Sequence, residues 1–127
     1  MKLLLDTHIF LWYASGDSRL PTAIKDSIRD PDNEAYLSVV SVWETIIKHQ
    51  LGKLPLPQPP EIFIPEQRKR HLIVSLNVDE ESVTRLASLP ALHRDPFDRL
   101  LVCQAIQHGL TIATVDPAVQ SYPINVL

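Results

Sequence analysis

Four acidic residues stand where a carboxylate has chemistry to do. Asp6 ends Lys2-Leu3-Leu4-Leu5, an almost wholly apolar run suited to a strand buried on both faces of a parallel sheet. Ligands of open α/β sheets bind outside the carboxyl ends of the strands, so Asp6 belongs at the mouth of a crevice. Aspartate is also a favoured N-cap, and a helix beginning near Thr7 would use it that way. Asp116 repeats the pattern after Leu110-Thr111-Ile112-Ala113-Thr114, with the same capping alternative. Glu44 shares a helical face with Val40, Ile47 and Leu51. A carboxylate in such a stripe is costly to bury unless it is paired, hydrogen-bonded or bound to a cation; otherwise the face lies at an edge and Glu44 reaches water. Asp98 shares a face with Val102 and Ile106 and points inward, whereas Asp95 is a capping or supporting group.

If the four converge, like-charge repulsion raises their pKa values unless a multivalent cation compensates. Oxygen-only ligands select Mg²⁺ or Mn²⁺ rather than zinc, and His8, His49, His71, His93 and His108 show no zinc-binding spacing with Cys103. An acidic cluster holding such an ion suits phosphodiester hydrolysis. There is no Gly-rich phosphate loop, no Gly-x-Ser-x-Gly elbow and no Cys/His signature to compete with it. Lys48, Lys53, Arg94 and Arg99 flank these positions and are candidates for phosphate contacts, with solvated surface charge as the alternative.

Strands and helices must alternate to position these groups. A helical turn or two over Ile9–Tyr13 precedes the loop Ser15-Gly16-Asp17-Ser18, and Pro21 suits the first turn of a helix whose inward face is Ile24 and Ile28. Ala35–Ser38 is a strand, and Ser38 caps a helix over Val39–Leu51 that ends at Gly52. The proline-rich stretch from Leu54 to Pro60 is a stiff extended connector. Glu61–Arg70 is helical despite Pro65 and closes on Arg68-Lys69-Arg70-His71, a solvated, dipole-favoured end before it is a phosphate patch. Leu72–Leu76 is a strand, and Asp79 caps a helix with Val83, Leu86 and Ala87 inward. Asp95 and Pro96 open a helix closed by His108-Gly109; Leu110–Thr114 and Ile124–Leu127 are the last strands, with a brief helix to Ser121 between them. Parallel neighbours need crossovers, so the expected fold is α/β, with a mostly parallel sheet of about five strands and helices on both faces.

The 127 residues fit one domain over positions 1–127, with 45% apolar and 21% charged residues. A net charge of −3 supplies no global basic field, so attraction to a nucleic acid must come from local patches or bound metal. Cys103, the single cysteine, reads as a small core residue in a reducing compartment. With neither a signal-peptide core nor a bilayer-spanning run, the expected location is cytoplasmic, away from membranes.

Taken in order, Leu4-Leu5-Asp6-Thr7-His8, Ser41-Val42-Trp43-Glu44 leading to Leu51-Gly52-Lys53-Leu54, His93-Arg94-Asp95-Pro96-Phe97-Asp98-Arg99-Leu100-Leu101 and Thr114-Val115-Asp116 resemble the motifs of PIN-domain ribonucleases, above all the VapC-like toxins of bacterial toxin-antitoxin pairs. The resemblance covers nearly the whole chain. It implies a three-layer α/β/α PIN-like fold, Mg²⁺- or Mn²⁺-dependent endoribonuclease cleavage of single-stranded RNA, homodimerisation and inhibition by a cognate antitoxin. Matched by motif, Asp6, Glu44, Asp98 and Asp116 are the catalytic, metal-binding acids, and the third motif favours Asp98 over Asp95. Trp12, Tyr13, Ile46, Ile47 and the prolines beyond Leu54 are candidate apolar surface for the antitoxin.

Other readings fare less well. An aspartyl phosphatase of the haloacid dehalogenase type needs a second aspartate where His8 stands, and a phosphoacceptor receiver needs a late lysine, whereas none follows Lys69. The more serious alternative is a degenerate PIN scaffold that only binds RNA or a protein, for which the loss of one or more acids is expected.

Overall fold

Leu3, Leu4 and Leu5 are fully buried, the condition of a strand covered on both faces. In the computed structural model, which describes residues 1–127, this strand is β1 (Lys2–Leu5). It is followed by α1 (Thr7–Ser15), α2 (Thr22–Arg29), β2 (Glu34–Ser38), α3 (Val39–Gln50), α4 (Pro60–Arg70) and β3 (Val74–Leu76). Then come α5 (Glu80–Thr84), α6 (Pro96–His108), β4 (Thr111–Ala113) and α7 (Pro117–Gln120). The strands form one sheet in the order β3-β2-β1-β4, and every pairing is parallel.

Side chains alternate across β1. Leu3 and Leu5 enter a cluster with Phe10, Ile24, Ile28 and Ile64 from α1, α2 and α4. Leu4 enters a second cluster with Val40, Leu101, Val102 and Val119 from α3, α6 and α7. Helices therefore cover both faces, giving the three-layer α/β/α fold. Burying each such leucine contributes about 1.5–3 kcal/mol, so the core that stabilises the chain also fixes where β1 stops.

Element boundaries follow local chemistry. Ser38 caps α3, its hydroxyl accepting from Val40 N at 3.0 Å. α1 runs beyond Tyr13 because Gly16, at φ 67°, turns into the left-handed region and closes its last carbonyls. α4 accommodates Pro65. β3 begins later than expected, since Leu72 adopts φ 57° and cannot extend the strand. The expected fifth strand reduces to one parallel bridge between Ile112 and Val126, so the sheet has four strands rather than five. The turn through Tyr122–Ile124 brings only that residue into register.

The inward face expected for α5 is corrected. Val83 and Ala87 are exposed and Leu86 is half-buried. The helix tightens into a 3-10 turn over Arg85–Ala87, which breaks the α-helical period, and the Asp79 cap turns Ser82 inward instead.

Gln104 ties three elements together from a fully buried position on α6. Its Oε1 accepts from Ser38 Oγ at 2.5 Å, and its Nε2 donates to Asn77 O at 3.2 Å, beyond the end of β3. Gln104→Leu keeps the volume and strands both partners, so it is expected to lower stability by about 1–3 kcal/mol, read as a reduced urea midpoint at unchanged slope.

Candidate active site

In the order β3-β2-β1-β4 the connection after β1 leads to β2 on one side, whereas the chain after β4 turns away on the other, so a crevice opens between the carboxyl ends of β1 and β4. Asp6 occupies that point. α3 follows β2 directly and carries Glu44, while Thr114, Val115 and Asp116 follow β4. α6 runs back against the strands, which sets Asp98, in its first turn, at the same edge. A cavity of about 310 Å³ results, walled by Asp6, Glu44, Lys48, Asp95, Asp98 and Asp116, with His8, Trp12 and Arg19 on one flank. All four acids expected from the motifs are thus brought together, and Asp95 joins them.

Capping and crevice prove compatible for Asp6. Its Oδ1 accepts from Thr7 N at 2.8 Å, and its Oδ2 accepts from Thr114 Oγ1 at 2.7 Å. Burial is the largest influence on this carboxyl and raises its pKa, against the two hydrogen bonds and nearby His8; Glu44 adds to the rise. Asp116 caps α7 through Ala118 N at 2.9 Å and stays half-buried. Asp95 caps α6, accepting from Phe97 N at 2.9 Å and Asp98 N at 3.1 Å.

Glu44 is 2% exposed and fully partnered, so it does not sit at a wet edge. Thr7 Oγ1 lies 2.7 Å from Glu44 Oε1 and 2.8 Å from Ser41 Oγ. A carboxylate only accepts, so the Thr7 hydrogen goes to Glu44. The other oxygen is ion-paired with Lys48, one helical turn on. Burial disfavours the Lys48 charge, but Glu44, with Asp95 and Asp98 farther off, outweighs it and holds the ammonium above its usual pKa.

Asp98 bears most of the unrelieved repulsion. Burial first, then Asp6 and Asp95, push its pKa up to about 7, against one hydrogen bond from His93. The all-oxygen donor set and this surplus of negative charge fit a hard divalent cation. No three acidic, histidine or cysteine side chains are arranged to grip one ion as they stand. Mg²⁺ does not require that, since one or two carboxylates with water and substrate phosphate complete its shell.

The cationic candidates divide. Lys48 lines the cavity and Lys53 the adjoining groove. Arg94 is exposed outside both, and Arg99 is bonded away to Pro90 O at 2.8 Å and Tyr122 Oη at 2.9 Å. Trp12 and Arg19 carried no sequence motif; Trp12 faces the cavity from α1, and the α1–α2 loop folds the Arg19 guanidinium over its ring, 5.1 Å from the centre. The adjoining groove, about 410 Å³, runs along Leu11, Trp12, Leu54, Pro55, Pro57 and Phe63. Tyr13, Ile46 and Ile47, expected beside Trp12, do not line it.

The raised Asp98 pKa carries a sign. Between about 4 and 7 the folded chain binds a proton at Asp98 that the unfolded chain has released, so this group's contribution to stability falls as pH rises through that window. Asp98→Asn is therefore expected to melt above wild type at pH 7.5 in EDTA, with the difference closing near pH 4. Thermal melting across that range checks it.

Residues 3–124 match the PIN domain family model. Ribonuclease VapC22 of Mycobacterium tuberculosis (strain ATCC 25618 / H37Rv) is 26% identical over 122 residues, covering 94% of this chain and 91% of that protein. Among solved structures, the chain resembles VapBC2 from Rickettsia felis bound to a promoter DNA fragment, with a TM-score of 0.72, 14% identity and coverage of 100% and 98%. DNA-bound VapBC from Salmonella typhimurium gives a TM-score of 0.70 at 15% identity, with coverage of 100% and 97%. With the motif acids gathered at one sheet edge and the family model spanning nearly its whole length, the chain belongs to the PIN-domain family.

Proposed function

We propose that this chain is a single nuclease domain, a Mg²⁺- or Mn²⁺-dependent endoribonuclease that hydrolyses phosphodiester bonds of single-stranded or loop RNA. The observation that carries this reading is the convergence of Asp6, Glu44, Asp98 and Asp116 on one cavity in a PIN-family chain. The VapC22 ribonuclease, similar along nearly its whole length, supports the same reaction class.

Asp6 and Asp98 are the residues that would hold the ion, with Asp116 supporting them and Glu44 holding a second ion or orienting the attacking water. The bound ion supplies an activated water and neutralises charge on the phosphate and the leaving oxygen. The chain does the rest by positioning. Thr7 and Thr114 fix the Glu44 and Asp6 carboxylates, and Lys48 places a positive charge where a phosphate enters. Arg19 and Trp12 wall the path by which the strand approaches.

The protein acts, on this reading, as the cytoplasmic toxin of a toxin-antitoxin pair, as a homodimer, restrained by a cognate antitoxin. Its structural neighbours include VapBC complexes, and the groove along Trp12, Leu54, Pro55 and Pro57 offers an apolar seat continuous with the acidic cavity. An antitoxin segment seated there would cover the site.

Purified protein is expected to cut RNA in Mg²⁺ or Mn²⁺ and not in EDTA. Asp6→Asn and Asp98→Asn should each lose about 10²-fold or more, since the charge stabilisation removed is worth several kcal/mol. Gel analysis of a mixed panel of structured and single-stranded RNAs reads the outcome. Undiminished cleavage by both variants contradicts the assignment, and metal-independent RNA binding without cleavage favours the degenerate scaffold.

A further inference from the structure

The acids of the cavity are not held alike. Asp6 and Asp116 accept hydrogen bonds from backbone N–H groups, and Glu44 is clamped between Thr7 and Lys48. The Asp98 carboxylate has one partner, His93 Nε2, at 3.3 Å from Oδ2. Whether that nitrogen presents a hydrogen or a lone pair to a carboxylate decides whether the contact holds Asp98 or repels it.

The answer lies behind the ring. His93 Nδ1 is 2.7 Å from Tyr122 Oη, and the two rings pack edge to face with centres 5.3 Å apart. Tyr122 is 3% exposed, so its hydroxyl must find its partners inside the protein. Arg99 Nη1 donates to that oxygen at 2.9 Å and to Pro90 O at 2.8 Å. A guanidinium only donates, so Tyr122 Oη accepts there and its single hydrogen is free for His93 Nδ1. A neutral imidazole that accepts at Nδ1 carries its proton on Nε2, the atom facing Asp98. Every hydrogen bond then runs one way, from Arg99 through Tyr122 and His93 to Asp98.

We propose that Tyr122, anchored by Arg99, is a positioning residue that fixes His93 as the Nε2–H tautomer and so aims the Asp98 carboxylate into the cavity. Tyr122 does not line that cavity and sits just beyond α7, on the far side of His93. It acts through the tautomer alone. The inference rests on the reading of Asp98 as a cation-holding residue. Partners behind a ligating group are worth about 10–100-fold in metal affinity or activity, which sets the size of the effect.

Tyr122→Phe keeps the buried ring and removes only the hydroxyl. Long-range ¹H–¹⁵N spectra of the full chain at pH 8 are expected to give the Nε2–H tautomer of His93 in wild type and a mixture in Tyr122→Phe. Calorimetric titration with Mn²⁺ should show weakened binding in that variant, by up to the about 10-fold that marks the low end for a direct partner of a ligating group. His93→Gln, which keeps a donor at the Nε2 position, should retain more Mn²⁺ affinity than His93→Ala, and adding Tyr122→Phe to it should change little. If Tyr122→Phe fails to fold, the wild-type tautomer and the comparison of His93→Gln with His93→Ala carry the test, and equal Mn²⁺ affinity of those two variants overturns the relay. A wild-type Nδ1–H tautomer, or a Tyr122→Phe protein with unchanged tautomer and Mn²⁺ affinity, overturns the relay. A folded wild type that binds no Mn²⁺ overturns instead the reading of Asp98 as a cation-holding residue.

Discussion

Mutual repulsion among carboxylates at the end of β1 is the constraint on which this structure turns. Asp6, Glu44 and Asp98 are all buried, where an unpaired ionised carboxylate is untenable. The fold answers with local donors rather than with bulk charge. Thr7 and Thr114 hydroxyls, the Lys48 ammonium and the His93 ring each reach one carboxylate. These partners leave Asp98 with its pKa pushed up to about 7, so the cluster remains short of positive charge. A divalent cation would meet that residual demand.

Topology assembles the site with little local specialisation. In an all-parallel sheet every strand ends at the same edge, and the helices that return over the sheet begin there. The apolar packing of Leu3, Leu4 and Leu5 fixes the height at which Asp6 emerges. Gln104, bonded to Ser38 and Asn77, locks α6 against the ends of β2 and β3 and so sets the depth of Asp98. Core and site are therefore mechanically one object.

Much of this could be read from the chain before any fold was known, because the signals were local. An apolar run ending on Asp6, an acid inside the apolar stripe of Glu44 and the Asp95-Pro96 helix start each express short-range rules. What escaped were contacts made across long separations. Nothing near Tyr122 in the chain announces that its hydroxyl meets His93, and Thr114 looks like one more strand residue until Asp6 lies beside it. Arg19 reaches the cavity wall through a loop turn with no motif of its own, beside Trp12 of α1. Boundaries failed where geometry overrode composition: Leu72 in a left-handed conformation shortened β3, and the 3-10 turn over Arg85–Ala87 cut short the α-helical period expected after Asp79.

On the proposed function, these carboxylates share a divalent cation at the end of β1. Anomalous diffraction from crystals soaked in Mn²⁺ tests it most directly. A shared cation places a peak within coordinating distance of Asp6 and Asp98. A peak elsewhere, or none from crystals whose cavity is open to solvent, would contradict it.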